Sequence, residues 1–198
     1  KGDTFKPKSE EGFMKLIVAI TGASGAIYGI KLLEELKKNK IESHLTISDW
    51  GKTTIKAETD YSLEEVKSLA DYFYEHNDLA ACISSGSFKI DGMVIVPCSM
   101  KTLSSIASGY SHDLISRAAD VSIKEKRKLV LVPRETPLNP IHIENMLKLS
   151  KIGVTIMPPV PAFYTKPKTI EDIVLNTVGR ILDQFGIEIK SLKRWSGK

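Results

Sequence analysis

Polar residues able to do chemistry are concentrated in short loops that directly follow apolar runs. The first loop is Thr21-Gly22-Ala23-Ser24-Gly25-Ala26. Two glycines between a strand and a helix allow a tight turn that aims backbone amides at an anion, and Ser24 adds a hydroxyl. Such turns hold flavin and dinucleotide phosphates and also occur without a ligand. A second loop, Ser48 to Gly51, follows the next strand. In Pro97-Cys98-Ser99-Met100-Lys101-Thr102, three polar side chains open a helix, which suits a phosphate and equally suits ordinary capping by Ser99. Val132-Pro133-Arg134-Glu135-Thr136-Pro137 holds an arginine and a glutamate between prolines. Rigid polar loops usually position ligands. Arg134 has a planar fork for a phosphate or a polarised carbonyl, and Glu135 can take a proton or orient a partner; a surface Arg/Glu pair is the alternative. The last loop, Pro158 to Tyr164, reads as the stiff apolar wall of a pocket, with Phe163 packed into it and the Tyr164 phenol facing the cavity. Arg180 lies between Val178 and Ile181 on a half-buried helical face, where it either meets an anion or snorkels to solvent.

Other chemistries fit less well. A dehydrogenase reading could use Asp49 as a ribose ligand and Tyr164 with Lys168 as a YxxxK pair. However, Tyr28 stands where the dinucleotide fingerprint requires glycine, and Pro167 keeps Tyr164 and Lys168 off a shared helical face. No nucleophile elbow or HExxH supports a hydrolase. His44, His76, His112 and His142 form no recognisable ligand or nucleophile set and read as surface or helix-start residues. Cys82 and Cys98 lack metal-ligand spacing and read as reduced, buried thiols of a cytoplasmic protein without structural zinc. The net charge of +4 suits one anion pocket better than a nucleic-acid stripe, and Lys124 to Lys128 reads as a solvated helix end. The runs at 16–20 and 93–97 are far too short to span a membrane.

These loops need a frame, and the apolar pattern supplies one. Strands are expected at 16–20, 43–48, 93–97, 128–133 and 153–158. Helices are expected at 26–38, 62–70, 102–106, 113–126, 141–151 and 170–185. Alternation of this kind predicts a doubly wound, Rossmann-like α/β domain: a parallel sheet with helices on both faces and ligands outside the carboxyl ends of its strands. Residues 1–13 have no periodicity and no apolar targeting stretch, and read as an added remnant or disordered tail ahead of a start at Met14. Residues 14–198 then form a single domain with a C-terminal tail.

Six ordered motifs, TGASGAIYG (21–29), SSGSF (84–88), PCSMKTL (97–103), RAADV (117–121), LVPRETPL (131–138) and MPPVPAFY (157–164), make the chain resemble the UbiX-like flavin prenyltransferases, in the branch historically named as a component of phenolic acid or hydroxyarylic acid decarboxylases. The sister flavin-dependent cysteine decarboxylases carry a PASANT-type motif where this chain has PCSMKT. The resemblance implies a flavoprotein fold and metal-independent transfer of a dimethylallyl group from dimethylallyl phosphate to N5 and C6 of reduced FMN. The prenylated FMN would pass to a partner UbiD-like decarboxylase. It also implies FMN contacts from Gly22, Ala23, Ser24, Ser48, Ser99, Met100, Lys101, Thr102 and Arg134. Arg117, Lys124, Tyr164 and Arg180 would hold the prenyl phosphate, Ser24, Glu58 and Glu135 would serve catalysis, and Trp195 with Tyr164 would enclose the prenyl fragment. Family members are usually dodecamers of trimers with active sites between subunits.

Overall fold

The structure, a computed structural model, describes residues 14–189 together with 192 and 194; the 1–13 segment and Trp195 lie outside the described residues. Six parallel strands form one sheet in the order β3-β2-β1-β4-β5-β6: β1 (Lys15–Ile20), β2 (Glu42–Ile47), β3 (Tyr72–Glu75), β4 (Gly92–Cys98), β5 (Lys128–Pro133) and β6 (Thr155–Ile156). Seven α-helices join them: α1 (Ala26–Lys38), α2 (Asp49–Glu58), α3 (Leu63–Leu69), α4 (Met100–Ser108), α5 (Leu114–Lys124), α6 (Pro140–Lys151) and α7 (Ile170–Asp183).

The central strands are apolar on both faces because each face covers a different core. Leu16, Val18 and Ile20 of β1 point to one side with Val94 and Val96, where α1, α2, α3 and α7 contribute Leu33, Ile55, Val66 and Val178. Ile17 and Ala19 point to the other with Met93 and Ile95, against Leu103 of α4, Ala118 of α5 and Leu149 of α6. This period-two split places α7 and α5 on opposite faces of the sheet. The strand order reverses between β1 and β4, so the loops after these strands diverge and leave a crevice at their carboxyl ends.

Three elements depart from the sequence expectation. A sixth strand, β3, joins the edge beside β2, built from the aromatic run Tyr72-Phe73-Tyr74. Residues 49–58, of which 49–51 are expected as loop and the rest are given no element, form α2, which buries only Gly51 and Ile55 and so has no 3.6-residue apolar stripe. The strand expected at 153–158 is reduced to Thr155–Ile156, beside the proline-rich segment that ends it.

Three side-chain expectations also change. His44, expected at the surface, is buried; its ring stacks on Tyr72 and Tyr74, and its nitrogens meet Tyr74 Oη at 3.0 Å and Glu42 Oε1 at 2.9 Å. Cys82 is exposed and lies 3.2 Å from Tyr74 Oη, whereas Cys98 is buried as expected, with its thiol pushed up to about 12 by burial. Phe163, expected to pack, is 70% exposed in this chain, because nothing in the described residues covers the proline-rich segment there.

Candidate active site

Four loops are stitched together at the carboxyl edge of the sheet. Thr21, which opens the glycine turn, is buried and joins the loops of β1 and β4. Its N–H and Oγ1 both donate to Pro97 O, at 3.2 and 2.7 Å, while Oγ1 accepts from Ser99 N at 2.8 Å. Arg134 N donates to Cys98 O at 3.3 Å, bringing the Arg-Glu loop alongside, and Ser48 N donates to Ile20 O at 3.0 Å. Hence Ser48, Thr21 to Gly25, Ser99 to Thr102 and Arg134, which lie far apart in sequence, line one edge.

The glycine turn is shaped by close approach. Gly25 caps α1 with φ +105°, in the left-handed region that glycine adopts without strain, and a Cβ on Gly22 would collide with Cβ of Trp50. The anion at the α1 N-terminus is the chain's own Glu58. Its Oε2 accepts from Gly25 N at 2.7 Å and from Ala26 N at 3.3 Å. Burial works to raise the Glu58 carboxyl, but hydrogen bonds from Ser24, Gly25 and Ala26 and the charge of Arg134 outweigh it and hold the group below the ordinary carboxylate range. Glu58 is named by the family resemblance alone; the residues themselves carry no signal for it, since it ends a helix that the apolar pattern does not show.

The α4 N-terminus is the other amide cradle. Ser99 caps it, accepting from Thr102 N at 3.3 Å and lying 3.1 Å from Thr102 Oγ1. The amides of Met100 and Lys101, in the first turn, are the orphan donors that such a cap leaves to a ligand. Ser48 likewise caps α2 through Gly51 N at 3.0 Å. A flavin phosphate fits this edge: with Gly25 and Ala26 already engaged by Glu58, the donors of α4, Ser48 and Arg134 remain for it. Glu135 is exposed and accepts from Thr136 N at 3.0 Å.

The remaining cations are distributed differently. Arg117 donates to Ser84 O at 3.2 Å and to Asp120 at 2.8 Å, and Lys124 pairs with Glu125 next to Gly86. Both belong to α5. Arg180, on α7, is 48% exposed and pairs with Asp183 at 2.5 Å, a carboxylate that also takes both guanidinium nitrogens of Arg194. Tyr164 lies in a short 3-10 turn and is half exposed. The four expected prenyl-phosphate residues thus fall into two pairs, with α5 and α7 on opposite faces of the sheet. Among the described residues no group of three or more His, Cys, Asp or Glu side chains is placed to hold a metal ion.

Known proteins of the same architecture give the family. The Flavoprotein family model matches residues 4–182. A probable UbiX-like flavin prenyltransferase of Bacillus subtilis is 56% identical over 94% of this chain and 91% of its own length. A UbiX protein, PadA1, solved with FMN and dimethylallyl pyrophosphate superposes with a TM-score of 0.93 at 53% identity, over 94% of this chain and all of that one. A dodecameric FMN-dependent UbiX-like decarboxylase of Escherichia coli O157:H7 superposes with a TM-score of 0.92 at 56% identity, over 93% and 100% of the two chains. With its glycine turn, α4 cradle and Arg134 loop at one switch point, and with identity above one half along nearly its whole length, the chain belongs to the UbiX-like flavin prenyltransferases.

Proposed function

We propose that this enzyme transfers a dimethylallyl group from dimethylallyl phosphate to N5 and C6 of reduced FMN, making prenylated FMN for a UbiD-like aromatic acid decarboxylase. The observation that carries this reading is the stitched edge, where two amide cradles stand side by side and one is already filled by Glu58. FMN binds as a substrate, its phosphate at the first turn of α4 with Ser48, Ser99, Met100, Lys101, Thr102 and Arg134. Its ring system lies towards Gly22, Ala23 and Ser24. The flavin supplies the nucleophilic nitrogen and the ring carbon at which the new ring closes.

The chain's own residues handle charge and protons. Breaking the allylic carbon to oxygen bond releases phosphate, whose charge Arg117, Lys124 and Arg180 stabilise, with Tyr164 at the polar end. Ring closure adds C6 across the prenyl double bond, so C6 loses a proton and the neighbouring prenyl carbon gains one, a transfer that Glu135 or the departing phosphate would relay. Glu58, held ionised by Ser24 and the turn amides, fixes the Ser24 hydroxyl at the ring.

A single chain does not bring α5 and α7 to one point, so we assign the prenyl-phosphate site to a junction between copies. The exposed Val160, Phe163 and Ile170 near that end of the chain favour association, as does the dodecameric state of the E. coli relative. We place the enzyme in the cytoplasm, a reading supported by two unpaired cysteines and by the absence, among the described residues, of any helix able to cross a membrane. The test is anaerobic incubation with reduced FMN and dimethylallyl phosphate. A flavin heavier by one C5 prenyl unit is expected by mass spectrometry, and unchanged flavin refutes the assignment. Decarboxylation of a cysteinyl peptide would favour the sister family instead, and tight FMN binding without turnover a non-catalytic subunit.

A further inference from the structure

Trp50 is the most exposed aromatic residue beside the stitched edge. Its side chain is 72% exposed, and among the described residues the indole makes no hydrogen bond or ring contact. Its backbone, in contrast, is tightly fixed. Helix α2 lies along the glycine turn and touches it at both ends. At its start, a Cβ on Gly22 would collide with Trp50 Cβ and lie 3.3 Å from its Cα and carbonyl carbon, and a Cβ on Gly51 would lie 2.6 Å from Ile20 O. At its end, Glu58 holds Gly25 and Ala26 at 2.7 and 3.3 Å. Asp49, the residue before Trp50, is tied to Lys52 at 3.7 Å and to His76 at 3.3 Å. Leaving a large apolar ring in water on so rigid a support forgoes the gain that burying it would bring. A flat aromatic ligand seated on the glycine turn would recover that burial.

We infer that Trp50 is a flavin-contacting residue of the site, its indole packing against the bound isoalloxazine ring. This rests on the reading that FMN binds at this edge. The two glycine contacts serve the same end, since any side chain at Gly22 would displace Trp50 as well as crowd the ligand. Trp50 therefore selects for the flavin ring and contributes nothing to the phosphate, which the α4 cradle holds.

The inference is tested by equilibrium binding with two probes, FMN and ribose 5-phosphate, on the assembled protein. Trp50→Ala is expected to weaken FMN binding ~3- to 10-fold, the range for loss of one aromatic pair. Ribose 5-phosphate binding should stay unchanged. Trp50→Phe is expected to restore FMN affinity to within about twofold of wild type, since an aromatic face is what packing on the flavin requires. Light scattering on each variant reads the assembly state, which is expected to remain that of wild type. FMN affinity in Trp50→Ala equal to wild type overturns the inference and leaves the FMN site standing. Equal loss of both probes together with dissociation also overturns it and makes Trp50 a contact between copies. A wild-type chain that binds ribose 5-phosphate but not FMN overturns the FMN reading itself.

Discussion

Thr21 stands at the start of the glycine motif, yet its hydroxyl faces the protein and not a ligand. It donates to Pro97 O at 2.7 Å and accepts from Ser99 N at 2.8 Å, at a position with 1% exposure. Thr21→Val keeps the shape and removes both bonds. Pro97 O retains the Thr21 amide, so the lost donation costs about 1 kcal/mol, the typical net value of one hydrogen bond. Ser99 N–H is left without an acceptor, which costs about 1–3 kcal/mol more when the group is shielded from water. The sum is about 2–4 kcal/mol. For a domain of this length, a midpoint of about 3 kcal/mol corresponds to a fall in Tm of roughly 6–12 °C. Thr21→Ser keeps the hydroxyl and loses only a methyl, about 1 kcal/mol. Thermal and urea unfolding of the three proteins should rank them wild type, Ser, Val, with FMN affinity following the same order because Ser99 opens the phosphate cradle. A valine variant within about 0.5 kcal/mol of wild type, less than one ordinary hydrogen bond, would refute the view that this hydroxyl joins the two loops.

Arg134→Ala is expected to weaken FMN binding by about 1.5–3 kcal/mol, the range for a hydrogen bond to a charged group, and dialysis showing wild-type affinity would remove Arg134 from the site. Arg180→Ala should leave FMN binding nearly intact and lower turnover per bound flavin on the order of 100-fold, as for loss of one preorganised donor. If Arg180 serves the fold alone, the variant instead loses thermal stability with flavin-normalised activity preserved at low temperature. Burial lowers His44 below its ordinary 6.5, against the raising effect of Glu42, so protonation favours the unfolded chain. The His44 contribution is intact above about pH 6.5 and is lost as pH falls through its lowered value; urea midpoints between about pH 8 and 5 should fall in wild type and change less in His44→Gln.

Much of this architecture is legible because chain-local physics sets it. KLVLVP at 128–133 is a strand in full because β-branched and leucine residues alternate between two apolar faces. The run from Ala26 to Lys38 is a helix in full because apolar residues recur on one side and Asn39 follows the lysines. Helix α2 has no such stripe: Gly51, Thr53 and Thr54 weaken its propensity, and tertiary contacts with the glycine turn hold it in place. Its one local signal is the Ser48 cap followed by an acidic first-turn residue. Strand β3 has only four residues at the sheet edge, and although its aromatics favour strands, no alternation of apolar and polar positions marks it. The capping role of Ser99 follows from its place ahead of a helix; that of Ser48 does not, because the helix it caps shows no apolar pattern, and neither does the filling of the α1 cradle by Glu58, which depends on α2 crossing the turn.

The pairing of the outer cations bears on how the prenyl-phosphate site is completed. Arg117 with Asp120, Lys124 with Glu125 and Arg180 with Asp183 are neighbours in sequence, and each cation is between one third and one half exposed. Ion pairs whose cations are this exposed contribute little, because water screens the attraction and holding two long side chains costs entropy. The fold therefore holds these cations without consuming them. A phosphate dianion enclosed between copies would meet them in a drier setting, where charge-assisted hydrogen bonds are stronger than such surface pairs, and would draw the guanidinium groups away from their carboxylates. On the assignment of this site to a junction between copies, enclosure of the phosphate and assembly would be the same event, since α5 and α7 lie on opposite faces of one sheet. Association that buries Val160 and Phe163 would therefore also raise the affinity for the prenyl phosphate, coupling the apolar surface to the charged one.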